Sequence, residues 1–162
     1  MKKTFEKWIT IELGTGSKDA DYFPRVFSDC GIKIDQYARK ILDTRAFTVA
    51  DEEREVDLVN IATFELGFKK PASRGEIYER VKHLGLGLCP AEVGPQMARQ
   101  YQGRYEGEWI VVGMEPILLP DGILEIFSVK YDNYKTMLCA HGGKPEELWN
   151  PEQQWLFELP RK

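Results

Sequence analysis

Histidine is scarce in this chain, cysteine is scarce and unpaired, and no long apolar run occurs. The 162 residues include two histidines, His83 and His141, and three cysteines, Cys30, Cys89 and Cys139, with no CxxC pair among them. A structural zinc site takes four Cys or His ligands at tight spacing, so no metal is expected, and no motif calls for any other cofactor. An odd, scattered set of thiols suits a reducing compartment, where each packs as a small hydrophobe. The opening MKKTFEKWITIEL alternates apolar and charged residues, unlike the unbroken apolar stretch of a signal peptide. Nowhere do 18 apolar residues run together, so no membrane span is expected and the cytoplasm is the predicted location.

An excess of positive charge is missing too. Lys and Arg number 22 against 26 Asp and Glu, a formal net charge of −4. That argues against a protein that works by coating nucleic acid or anionic lipid. What is present is ordinary globular material, 43% hydrophobic and 30% charged. A domain of this length buries roughly 70% of its unfolded surface, enough to fold without metal or disulfide. No repeat, low-complexity tract or linker divides it. The chain reads as a single domain over 1–162, with a split into a helical unit 1–103 and a β unit 104–162 as the alternative.

The pattern predicts an α+β fold, with helices mainly in residues 17–101, an antiparallel β meander in residues 107–160 and an N-terminal strand joining the sheet. Residues 4–13 alternate with period two and end at Gly14 and Gly16, which predicts that strand. Ser17 or Asp19 can cap a helix running to Cys30, and Pro24, confined to a first turn, moves its start to about Tyr22. Asp35 caps a second helix carrying Tyr37, Ala38, Ile41 and Leu42 on one face. Val56–Leu66 fits either a strand or a helix, and its length with the following Gly67 favours helix. Ser73-Arg74-Gly75-Glu76 is a capping box, followed by Ile77, Val81 and Leu84 at helical spacing and by Gly85. Gln96–Tyr101 suits a further short helix. After Gly107, four segments rich in aromatic and β-branched residues lie between turns: Trp109–Met114, Leu124–Tyr131, Tyr134–Ala140 and Trp155–Leu159. Glu146–Trp149 is expected as a helical insert among them. The aromatic load of this region, Trp109, Phe127, Tyr131, Tyr134, Trp149, Trp155 and Phe157, is read as core filling.

The segment LGLGLCPAEVGPQMARQY at 84–101, followed by GEWIVVGMEPI at 107–117, resembles an uncharacterised family of bacterial hypothetical proteins. Leu66-Gly67-Phe68 ahead of the capping-box helix and the Trp149 to Phe157 region extend the resemblance over most of the chain. It implies kinship and transfers no activity, ligand or fold.

Three functional readings follow from the residues. Pro90, Gly94 and Pro95 fix the backbone around Glu92, and Gln96, Arg99 and Tyr101 project from the short helix beyond. A carboxylate, an amide, a guanidinium and a phenol held on a rigid loop can bind a polar ligand. The leading reading is therefore a non-catalytic binding or interaction domain with its surface at Cys89–Tyr101 and the sheet edge, its partner a protein or a small polar ligand. The structural alternative is a buried Glu92–Arg99 pair that pins the loop. The second reading is a nucleic-acid-binding regulator of helix-turn-helix or winged-helix type using Arg74–Lys82, disfavoured by two glutamates on that helix. The third is a small hydrolase or transferase with Cys89 as nucleophile and Glu92 and His141 as base and orienter, which requires a lowered thiol pKa. Gly14-Thr15-Gly16-Ser17-Lys18 lacks the full phosphate-loop pattern and reads as a turn.

The capping box gives the first test. Replacing Ser73 by Ala removes a cap, and the expected loss is about 0.5–2 kcal/mol in urea unfolding. An unchanged midpoint means that no helix starts there.

Overall fold

The computed structural model describes residues 3–16, 18–19, 21–103 and 105–161, and its fold is α+β. In chain order the described elements are β1 (Ile9–Leu13), α1 (Tyr22–Cys30), β2 (Lys33–Ile34), α2 (Gln36–Leu42), β3 (Arg54–Ala62), a 3-10 turn (Thr63–Leu66), β4 (Ala72–Ser73) and α3 (Arg74–His83). They continue with α4 (Val93–Gln100), β5 (Glu108–Val112), β6 (Ile117–Leu118), β7 (Leu124–Asp132), β8 (Lys135–Gly142), β9 (Leu148–Trp149) and β10 (Gln154–Glu158).

One mixed sheet organises the molecule, in the order β1-β3-β10-β5-β7-β8-β2, with β6 added to the side of β7. The N-terminal strand joins it as expected, pairing Ile9 with Leu58 and Leu13 with Arg54. The C-terminal region is not a simple antiparallel meander. β10 inserts between β3 and β5, antiparallel to the first and parallel to the second, and β2 runs parallel to β8. The sheet curls into a half-barrel. α4 requires this, because it touches β1, β7 and β8 at once. An eight-residue helix is about 12 Å long, whereas five strand spacings in a flat sheet span about 24 Å. Gly94 permits the close seat of α4 on β7. A Cβ added there would lie 2.5 Å from the Phe127 ring.

The segment expected as a helix over Val56–Leu66 is instead β3 followed by the 3-10 turn. Flanked by β1 and β10, β3 is covered on both faces, so Leu58, Val59, Ile61 and Ala62 are all buried. Burial of both faces erases the alternation that marks a strand in sequence. Glu146–Trp149 is likewise not helical. Leu148 and Trp149 form β9, paired with Ser73 and Ala72. The loop before β9 accepts from the start of α3, Arg74 N to Glu147 O at 2.8 Å and Gly75 N to Pro145 O at 2.9 Å. Orphan amides at that helix end are thereby satisfied.

The local signals hold where they are strongest. Ser73 Oγ accepts from Glu76 N at 3.1 Å while the Glu76 carboxylate accepts from Ser73 N at 3.0 Å. Asp35 caps α2 by accepting from Ala38 N at 2.7 Å. Helix α1 starts at Tyr22, with Pro24 in its first turn and Asp21 at the cap position without a side-chain cap bond. Of the two caps expected for it, Ser17 lies outside the described residues, and Asp19 offers its backbone carbonyl to Tyr22 N at 3.0 Å.

The core fills both faces of the sheet. Tyr78 of α3 meets the Trp155 and Phe157 rings edge-on on one side. On another, Phe23, Phe47 and Phe127 make a chain of tilted and edge-to-face contacts beneath α1. Of the aromatics expected to fill the core, Phe127, Trp149, Trp155 and Phe157 are buried, Trp109 and Tyr131 are half-buried, and Tyr134, at a hairpin turn, is exposed.

The β7–β8 hairpin turns through two residues, Asn133 at φ 52° and Tyr134 at φ 61°. Both left-handed positions identify a type I′ turn, for which Asn-Gly is preferred. Tyr134 is 87% exposed and carries the strain of that conformation with little packing in return. Tyr134→Gly is therefore expected to raise stability by about 0.5–1 kcal/mol. A lower urea midpoint for this variant means that Tyr134 makes stabilising contacts that its exposure does not suggest.

Candidate functional site

Pro90 leads the chain out of its bridge at Cys89 and into a turn that starts α4, which places Glu92 at the buried base of that helix. Glu92 is 1% exposed. One of its carboxylate oxygens accepts from Gly14 N at 2.7 Å and Gln96 Nε2 at 2.9 Å, and the other from Ala50 N at 2.7 Å. Gln96 in turn accepts through its side-chain oxygen from Arg99 Nε at 3.1 Å and Gln100 Nε2 at 2.9 Å. Arg99 donates onward to Thr15 Oγ1 at 2.7 Å.

Glu92, Gln96 and Arg99 thus belong to one hydrogen-bonded chain, and among the described residues Glu92 and Arg99 form no direct ion pair. Gln96 stands between them. Tyr101 lies outside this chain, its hydroxyl donating to the Glu108 carboxylate at 2.9 Å. The Gly14 amide is engaged by Glu92, so the Gly14–Lys18 turn does not offer it to a phosphate.

A cleft of about 850 Å³ opens beside this network. Cys89, Pro90, Ala91 and Glu92 form one wall, the 46–54 segment a second, and Glu115–Leu118 a third. Gln96, Arg99 and Tyr101 do not line it. The rim carries Asp51, Glu52, Glu53 and Glu115, with Arg54 as its one cation among the described residues, while Leu13, Val49 and Ile117 supply apolar surface. Lys18 reaches Asp51 at 3.3 Å from outside.

Cys89, Glu92 and His141 are not brought together. The Cys89 thiol is buried, burial pushes its pKa well above the ordinary thiol value, and its nearest polar partner is Leu156 O at 3.6 Å. His141 lies on β8 at a different cavity, edge-on to Trp149 and 3.7 Å from the Glu147 carboxylate. On α3, Arg74 lies 4.6 Å over the Tyr78 ring, and Arg80 donates to Leu66 O at 2.9 Å. Two cations of the proposed reading helix are therefore occupied within the fold. No described group of three or more His, Cys, Asp or Glu residues is arranged to hold a metal ion. No described helix is long and apolar enough to cross a membrane.

Sequence reasoning missed the second polar cavity, about 410 Å³, where His141 lies. It is lined also by Asp35, Glu125, Ser128, Lys130 and Cys139. Glu125 and Ser128 are buried, and Glu125 Oε2 and Ser128 Oγ have no hydrogen-bond partner among the described residues. Burial, then the carboxylates of Asp35, Asp121 and Glu147, push the Glu125 pKa up to about 7, opposed by Lys40. Burial also raises the Cys139 thiol to about 12. The one available signal was a glutamate and a serine inside an otherwise apolar strand, LEIFSV.

The Glu92 network predicts that Glu92→Gln costs about 2–4 kcal/mol, since an amide cannot accept from all three donors and turns its own N–H towards one of them. Urea unfolding measures this, and a loss under about 0.5 kcal/mol, the range of an ordinary surface change, contradicts the clasp. No protein-family model matches the chain, and no curated protein or solved structure matches it.

Proposed function

We propose that the chain is a non-catalytic binding domain whose main cleft takes a cationic segment of a partner protein carrying at least one apolar side chain. The composition of the cleft carries this reading: carboxylates at the rim and aliphatic surface within, with the Cys89 thiol held in its neutral form by burial. Among the described residues, Asp51, Glu52, Glu53 and Glu115 line the cleft with Arg54 as the one cation. Such a field attracts cations and repels nucleic acid phosphates. Leu118, 61% exposed, joins this cleft to a neighbouring groove that runs to Pro120 and Asp121, and gives a partner an apolar contact. The nucleic-acid and cysteine-hydrolase readings find no comparable support. Kinship with the uncharacterised bacterial proteins extends the proposal to them. The two resembling segments meet beside the cleft, where Cys89 N donates to Gly113 O at 2.7 Å and Cys89 bridges to Met114.

A fluorescein-labelled decapeptide alternating Lys and Leu serves as a probe, with a Glu-for-Lys counterpart as control. Saturable binding that weakens with salt, fails for the control, and drops at least fivefold in the Glu52→Lys, Glu53→Lys double variant is the expected result. Equal binding by that variant, or none at millimolar protein, overturns the proposal.

A further inference from the structure

The second cavity is lined by β7 and β8 together, through Glu125 and Ser128 of the first and Cys139 and His141 of the second. Asp35 and Tyr37, at the start of α2, wall the same cavity. A buried polar group without a partner costs about 1–3 kcal/mol. Two side chains here carry such a group, Glu125 with 6% and Ser128 with 1% of its surface exposed. Neither is needed to hold the strands, whose ladder is made by the backbone. Trp109 Nε1 is a third buried atom without a partner on this cavity's lining.

The geometry points to a binding site for a small organic cation, a primary amine or a guanidinium, whose N–H groups donate to Glu125 and Ser128 and whose apolar part lies against Tyr37 and Trp109. Charge selects the cation. Asp35, Asp121 and Glu147 crowd Glu125, and Lys40, the cation that relieves it, is 3.8 Å from Asp121. Lys130 and His141 at the cavity are turned to other partners. Lys130 Nζ stands 4.4 Å over the Trp109 ring, and His141 Nε2 is 3.7 Å from Glu147. A neutral polyol would leave the repulsion among the carboxylates in place, and an anion would add to it. Among the described residues, no third ligand is arranged for a bare metal ion. The volume falls at the small end of the roughly 300–1,000 Å³ of ligand pockets.

The pH dependence follows from Glu125. Its folded pKa stands above the ordinary carboxylate value, so below pH 7 it is mostly protonated and cannot balance a cation. Ligand affinity must then rise with pH, by about tenfold between pH 6 and pH 8 for a group titrating near 7.

Titration of the full chain with agmatine, putrescine and phenethylamine tests this, followed by amide NMR shifts on β7 and β8, with glucose and benzoate as neutral and anionic controls. The expected result is saturable shifts at Ser128 and His141 for at least one amine, about tenfold tighter at pH 8 than at pH 6. Glu125→Gln, an isosteric change to the neutral form that burial already favours, should keep the fold, weaken binding at least tenfold and flatten its pH dependence. Ser128→Ala is expected to weaken it several-fold. The Glu52→Lys, Glu53→Lys variant should bind as the parent does, which separates this site from the cleft. Failure of all three amines to bind, glucose or benzoate binding as tightly as the amines, or unchanged binding by a folded Glu125→Gln variant overturns the proposal.

Discussion

A single buried carboxylate ties together the end of β1, the loop before β3 and helix α4. Glu92 takes one amide from the end of β1, at Gly14, one from the loop before β3, at Ala50, and one from its own helix, at Gln96. Left unsatisfied, each of these buried groups would cost more than an ordinary hydrogen bond contributes. Gly14 is needed for the approach: it has φ +75°, and a Cβ there would lie 2.6 Å from Glu52 O. The constraint reaches the cleft directly. The loop held through Ala50 continues into Asp51, Glu52 and Glu53, so the acidic rim is placed by the same carboxylate that anchors α4.

Anchoring α4 also fixes the curvature of the sheet. The helix touches β1 at one end of the strand order and β7 and β8 towards the other, and Gly94 brings its backbone against Phe127. Gln100 adds a second tie, exchanging bonds with the backbone of Glu12 on β1 at 2.8 and 2.9 Å. Polar bonds at the edge and apolar contact at the centre therefore pull in the same direction. A sheet bent this way leaves its outer face free for a second layer, and α3 uses part of it, with Tyr78 donating to Met114 O at 2.6 Å and accepting from Met114 N at 3.0 Å.

What the sequence made legible was local. The caps at Asp35 and Ser73 are set within three residues, and the C-terminal strands announce themselves by composition. What it concealed was long-range. β3 reads as helix because both of its faces are buried, and β10 gives no sign that it will enter between β3 and β5, beside residues about 45 and 90 positions away. Leu148–Trp149 is a strand only because β4 lies opposite. The same division holds at the site. The stiffness of Cys89–Tyr101 is visible in its prolines and glycine, whereas the partners of Glu92 lie 78 and 42 residues distant. Arg99 was a plausible counter-charge by spacing, but the amide of Gln96 is closer along the helix and takes the place between them.

The two buried glutamates separate structure from binding. Glu92 accepts on both of its carboxylate oxygens, from two backbone amides and a neighbouring amide side chain that the fold itself needs satisfied. Glu125 is buried to a similar degree, yet one oxygen has no partner and the surrounding charge is of its own sign. Burial of a carboxyl group alone therefore does not mark a site in this chain. The discriminating quantity is what the protein leaves unmatched, since a group already paired gains little from a ligand, while an unpaired one returns its desolvation cost to whatever completes it. By that measure the residues most conspicuous in sequence, Glu92 and Arg99, hold the fold together, and a glutamate hidden within an apolar strand is the one placed to bind.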